Sequence, residues 1–173
     1  MNDNLGRVHI FTGNGRGKSS ASIGTAVRAA GYGHKVKMYF FLKGFHQGGE
    51  YAAFDKLDIE WKICGKPDLW GPEGLQEKDH LAFQECLSEL EKDLLSQQYD
   101  LLILDEINVA CAYKMLEFAK LIELVNKRGR TEVILSGRYA SQELMDYADQ
   151  VSSIENVKHA MQKGGKPKEG VDF

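Results

Sequence analysis

Gly13, Gly15 and Gly17 alternate with Asn14 and Arg16 and run straight into Lys18-Ser19-Ser20. Glycine lets a chain take positive φ and come close to a ligand. Successive backbone N–H groups in such a loop, joined to the first turn of a helix, form a concave nest for anions. The flanks meet that requirement. Arg7-Val8-His9-Ile10-Phe11-Thr12 reads as a strand rich in β-branched and aromatic residues. Ser19 to Ala30 reads as a helix, ended by Gly31-Tyr32-Gly33. Strand, glycine loop and helix in this order are the setting of a phosphate-binding loop.

The loop predicts an ATP site made of Thr12, Gly13, Asn14, Gly15, Arg16, Gly17, Lys18, Ser19 and Ser20. Lys18 is expected as an exposed point charge reaching the terminal phosphates, and Ser19 as a hydroxyl ligand of Mg²⁺ (or Mn²⁺). One position departs from the usual pattern: Thr12 stands where its first glycine belongs. A second site follows from Leu101-Leu102-Ile103-Leu104, which leads directly into Asp105-Glu106. A continuous apolar run fits a strand buried on both faces of a parallel sheet. Acids at its C-terminal end lie where open α/β sheets bind ligands. Glu106, and with it Asp105, are the candidate Mg²⁺ carboxylates.

The remaining chain alternates strand-like and helix-like segments. Val36 to Leu42, Ile59 to Cys64, Glu132 to Ser136 and Val151 to Val157 read as strands. From Leu75 onward, Phe83, Leu87, Leu90 and Leu94 recur at helical spacing, as do Met115, Phe118, Ile122 and Val125 before Gly129. Ser141 to Tyr147 reads as a short helix, Gly65 to Gly74 as a loop, and Gln162 to Phe173 as an irregular tail. This alternation predicts an α/β fold, a mostly parallel sheet with helices on both faces, in one domain over residues 1–173.

Composition narrows the functional classes. With 43% apolar and 27% charged residues the chain suits an ordinary globular protein. A net charge of −3 argues against a nucleic-acid partner. No apolar run approaches the ~20 residues of a membrane span, and Met1-Asn2-Asp3-Asn4 does not open a secretory signal. A cytoplasmic protein without membrane contact is expected. Cys64, Cys86 and Cys111 are widely spaced, so free thiols in a reducing compartment are expected and not a disulfide. The histidines form no His-Glu-x-x-His pattern, so no protein-only metal site is expected.

The sequence resembles the ATP:corrinoid adenosyltransferases over nearly its whole length. The resemblance rests on Thr12 to Ser20, Arg28-Ala29-Ala30-Gly31-Tyr32-Gly33-His34-Lys35-Val36, Phe41-Leu42-Lys43-Gly44, Gly49-Glu50 and Leu104-Asp105-Glu106. It extends through Ser136-Gly137-Arg138, Val157-Lys158-His159-Ala160 and Gly170-Val171-Asp172-Phe173. Arg16 and Ser19-Ser20 stand where the family often has Lys and two Thr. The resemblance implies a three-layer, RecA-like P-loop fold. It implies transfer of the 5′-deoxyadenosyl group of ATP to Co(I) of cobalamin or cobyrinic acid a,c-diamide, with release of triphosphate. ATP would lie in the reverse sense to other P-loop enzymes, making triphosphate the leaving group. Lys18 and Glu106 are then the catalytic candidates. Trp70 is the candidate for keeping the lower base off cobalt, and Arg138 for meeting phosphate or a corrin side chain. A homodimer and a flavoprotein-type reductant are the implied partners. The alternative is a P-loop phosphotransferase or ATPase that cleaves the β–γ bond, or a nucleotide-dependent switch without turnover.

Overall fold

The computed structural model describes residues 6–42, 48–65, 76–158 and 168–171. Its strands are β1 Val8–Thr12, β2 Val36–Phe41, β3 Glu60–Cys64, β4 Leu101–Asp105, β5 Glu132–Ser136 and β6 Gln150–Ser153. Its helices are α1 Lys18–Gly31, α2 Gly49–Lys56, α3 Glu77–Ser96, α4 Ile107–Ala112, α5 Phe118–Val125 and α6 Gln142–Tyr147. The strands form one sheet in the order β3-β2-β4-β5-β1-β6, and all its pairings are parallel. One strand, β5, therefore lies between the strand that enters the glycine loop and the strand that ends in Asp105.

Alternating side chains divide the core into two layers. Val36, Met38 and Phe40 of β2, with Leu101 and Ile103 of β4 and Ile134 of β5, pack with Ala26 of α1 and with Tyr51 and Phe54 of α2. Tyr39, Phe41, Leu102, Leu104, Val133 and Leu135 face the other way, onto residues of α3 to α6. β2 and β4 are buried along their full length. That is why β4 could be read as a continuous apolar run. α3 buries Phe83, Leu87, Leu90 and Leu94 as the spacing predicted, and Gln76 and Asp79 form a reciprocal capping box at its start.

A polar cluster interrupts the α3 side of the sheet. Lys37 Nζ donates to Asp93 Oδ2 at 2.7 Å and to Glu89 Oε1 at 2.9 Å, and Tyr39 OH donates to Asp93 Oδ2 at 2.5 Å. Lys62 also pairs with Glu89. Burial alone would lower the pKa of Lys37. Its hydrogen bonds to Asp93 and Glu89 outweigh that and hold it above the usual value. Burial likewise opposes ionisation of Glu89, but hydrogen bonds from Lys62 and Lys37 hold its pKa below normal.

Four local readings change. Cys64 and Cys86 form a disulfide joining the end of β3 to α3, against the expectation of free thiols. The packing of α3 against the sheet brings their Cα atoms to 5.9 Å, inside the range a disulfide spans. The sequence separation of 22 hid this approach. Only Cys111 is a free cysteine among the described residues, and it is buried. β6 stops at Ser153, short of Val157, because the chain from Ile154 leaves the ladder to meet the glycine loop. The helix expected from Met115 begins at Phe118, since Glu117 is extended at φ −69° and ψ 142° and stands as its N-cap. α2 and α4 went unread. α4 is short, and α2 has a weak apolar face carried by Tyr51 and Phe54 alone. The loop expected over Gly65 to Gly74, apart from Gly65, and most of the tail from Gln162 lie outside the described residues.

Candidate active site

β1 delivers the chain to Gly13 and α1 begins at Lys18, with Gly17 as N-cap at φ 118° and no side-chain cap. No side chain therefore caps the start of α1, the end of a helix that favours an anion. Not every glycine serves the ligand directly. Gly13 has a φ of 94°, and a Cβ there would lie 2.4 Å from the carbonyl oxygen of Ile154. A Cβ on Gly15 would lie 2.6 Å from the same oxygen. Gly15 N–H donates to that carbonyl at 2.6 Å, and the Asn156 side chain donates to Asn14 O at 3.1 Å. The loop is therefore seated on the segment that follows β6. Sequence reasoning missed this partner because it lies about as far along the chain as it could.

Asn14, Gly15, Arg16, Gly17, Lys18, Ser19 and Ser20 line a cleft of about 270 Å³, closed by Glu106, Arg138 and Val171. Arg16 also donates to the Val171 carbonyl. Thr12 and Gly13 do not line it. Thr12 is the buried last residue of β1, and its carbonyl accepts from Ile154 N–H at 2.8 Å. Lys18 is not the exposed side chain expected. It is 7% exposed, and its Nζ donates to Gly15 O at 2.6 Å. Its position on the inner face of α1, with Ser22 and Ala26, folds it back into the loop.

The acids of β4 divide their tasks. Asp105 is fully buried and accepts from Ser19 Oγ at 3.1 and 3.0 Å. Ser136, at the end of β5, also donates to Asp105 Oδ1. Glu106 sits in the left-handed region at φ 62°, caps α4 and lines the cleft. Gly137 has a φ of 129°, and a Cβ there would come within 3.2 Å of Glu106 Cα. The Ser19 hydroxyl and the Asp105 carboxylate form an all-oxygen pair of the kind Mg²⁺ accepts. Such an ion takes one or two carboxylates and completes its shell with water and phosphate. It needs no larger cluster of acids, and none of three or more potential metal-binding side chains occurs among the described residues. Asn108 carried no signal in the sequence beyond its nearness to Asp105-Glu106, and Ser136 was named only within the Ser136-Gly137-Arg138 stretch, with no role of its own. Trp70 and His159 lie outside the described residues.

A strand, glycine loop and helix beside a buried acid two strands away define a P-loop nucleotide-binding protein with the strand order of the RecA-like class. Flagellar accessory protein FlaH from Methanocaldococcus jannaschii has a similar fold, with a TM-score of 0.57 and 10% identity over 87% of this chain and 71% of that one. The particular family is given by the sequence matches. The profile of the ATP:corrinoid adenosyltransferase BtuR/CobO/CobP family matches residues 4–173, and the chain belongs to that family. It is 33% identical to the corrinoid adenosyltransferase of Escherichia coli K12, over 99% of this chain and 87% of the relative. Identity is also 33% to the corrinoid adenosyltransferase CobA of Salmonella typhimurium, over 97% and 86%. The corrinoid adenosyltransferase of Pseudomonas aeruginosa is 31% identical, over 99% and 85%.

Proposed function

We propose that this chain transfers the 5′-deoxyadenosyl group of ATP to the cobalt of a reduced corrinoid, cobalamin or cobyrinic acid a,c-diamide, and releases triphosphate. The observation that carries the reading is the family match across residues 4–173. In the reaction Co(I) donates an electron pair to C5′ of the ribose. That pair becomes the cobalt–carbon bond, triphosphate leaves with the electrons of the broken C5′–O bond, and cobalt becomes formally Co(III). No proton changes place at the reacting carbon, so no general base is required.

The residues of the cleft then have one main task, to hold and stabilise a triphosphate leaving group. The N–H groups from Arg16 to Ser20, where α1 starts, supply oriented donors. Lys18 supplies a cation within the loop. Arg138 is read as a phosphate ligand and not a corrin ligand, because it lines the same cleft as Lys18 and Ser19. Mg²⁺, when bound between Ser19 and Asp105, with Glu106 beside it, would neutralise charge on the leaving group. Positioning C5′ against cobalt supplies the rest of the rate. Trp70 is proposed to displace the lower base of the corrinoid. A cytoplasmic homodimer served by a flavoprotein-type reductant completes the proposal. No helix among the described residues is long and apolar enough to cross a membrane.

The test mixes protein, ATP, Mg²⁺ and chemically reduced cobalamin and follows the absorbance of the cobalt–carbon product, with phosphates resolved by chromatography. Adenosylcobalamin and triphosphate in equal amounts are expected. ADP and phosphate in their place would overturn the reading and establish β–γ cleavage.

A further inference from the structure

Gly137 is held from both sides. Its N–H donates to Phe11 O of β1 at 3.1 Å. Its carbonyl accepts from Asn108 Nδ2 at 3.1 Å in a buried hydrogen bond. A carbonyl only accepts, so the amide nitrogen of Asn108 must be the atom that faces it. Asn108 lies on α4, two residues beyond Glu106, and is fully buried. Its own Oδ1 is buried with no hydrogen-bond partner among the described residues. A half-satisfied buried amide is a poor choice for packing alone, because an apolar side chain of the same size avoids the unmet acceptor. The next residue after Gly137 is Arg138, an exposed side chain that lines the cleft.

We propose that Asn108 is a positioning residue for Arg138, fixing the Gly137 turn so that the guanidinium is held over the triphosphate. The proposal rests on the phosphate reading of Arg138 given above. Gly137 contributes by its shape. Its φ of 129° suits glycine alone, and a Cβ would stand 3.3 Å from Asn108 Cβ and 3.2 Å from Glu106 Oε2. Turn, amide and Glu106 elbow therefore pack as one unit, tying the end of β5 to the start of α4. Ser136, one residue earlier, makes the parallel tie to Asp105.

The test is a double-mutant cycle read by kcat and KM for ATP in the adenosylation assay. Arg138→Ala should lower kcat/KM for ATP about ten- to a hundredfold, the scale of a charge-assisted hydrogen bond. Asn108→Leu keeps the branched shape, removes the unmet acceptor but also the donor to the Gly137 carbonyl, and should keep the melting temperature within about 4 °C of the wild type. It should nonetheless lose most of what Arg138→Ala loses. Combined, the two changes should fall within about twofold of Arg138→Ala alone, because both remove one contribution. Asn108→Ala, which cannot overpack, repeats the cycle if the leucine variant fails to fold. Losses that multiply, or an Asn108 variant with wild-type kinetics beside a damaged Arg138→Ala, would overturn the positioning role and leave Arg138 as a ligand. A silent Arg138→Ala would overturn the phosphate reading of Arg138, and the positioning role with it.

Discussion

Replacing Lys18 by methionine separates catalysis from stability. Methionine is the better probe than alanine because Lys18 is 7% exposed, and truncation would leave a hole beside the loop. Folding loses the ammonium's hydrogen bond to Gly15 O at 2.6 Å, and a charge-assisted bond contributes about 1.5–3 kcal/mol. Against this, the substitution removes the cost of desolvating a cation, which is of similar size or larger. The two nearly offset. The net change should lie within ~1 kcal/mol, or about 2–4 °C in melting temperature for a domain of this length. The rate behaves differently, because negative charge gathers on the triphosphate only as the C5′–O bond breaks. Removing one donor aimed at developing charge costs about a hundred- to a thousandfold in kcat. Circular dichroism melts and the cobalamin absorbance assay measure the two quantities on one preparation. A folded variant that turns over within about tenfold of the wild type would refute the leaving-group role of Lys18. So would a melting temperature that collapses together with the rate.

Glu106→Gln should shift the Mg²⁺ titration of the rate to higher concentration, since an amide is a poorer ligand for a hard cation. An unchanged titration curve and maximal rate would remove Glu106 from the metal's surroundings. Glu89→Gln tests the polar cluster under α3. The folded pKa of Glu89 lies below its usual value of 4.5, so the wild type's advantage should be complete above that value and shrink as pH falls through the folded pKa. Urea melts at neutral and acid pH should show this convergence, and a constant difference would contradict it. For the cysteines, unfolded protein kept from reductant should present one titratable thiol, rising to three after reduction. In the native state Cys111 should resist thiol reagents near neutral pH, because burial, with Glu117 nearby, pushes its pKa up to about 12.

Features local in sequence were legible, and features made by the chain's return were not. The strand before Gly13 and the helix after it could be read because both patterns are continuous over several residues. β4 could be read because burial on both faces removes all polar residues from Leu101 to Leu104. Lys18, Ser19 and Asp105 were singled out from spacing, and the fold brings the Ser19 hydroxyl to Asp105 in a hydrogen bond. The exposure of Lys18 was misjudged because loop lysines usually face water, while this one begins the buried stripe of α1. The Cys64–Cys86 bridge, the Asn108–Gly137 clamp and the Ser136–Asp105 contact depend on which strands are neighbours. The strand order is a global property that no short window contains. The same holds for Ile154, which gives Gly13 and Gly15 part of their reason to be glycines.

That last contact joins nucleotide affinity to the opening of an edge strand. Among the described residues β6 has one neighbour, β1, and the segment leaving it supplies the carbonyl on which Gly15 rests. Whenever this edge opens, the loop loses its template, so the apparent dissociation constant for ATP is the intrinsic one divided by the fraction of molecules with the edge closed. By the same equilibrium, nucleotide that binds only the closed form draws molecules into it. Amide hydrogens of Val151 to Ile154 should therefore exchange more slowly in the nucleotide complex, although none of these residues lines the phosphate cleft.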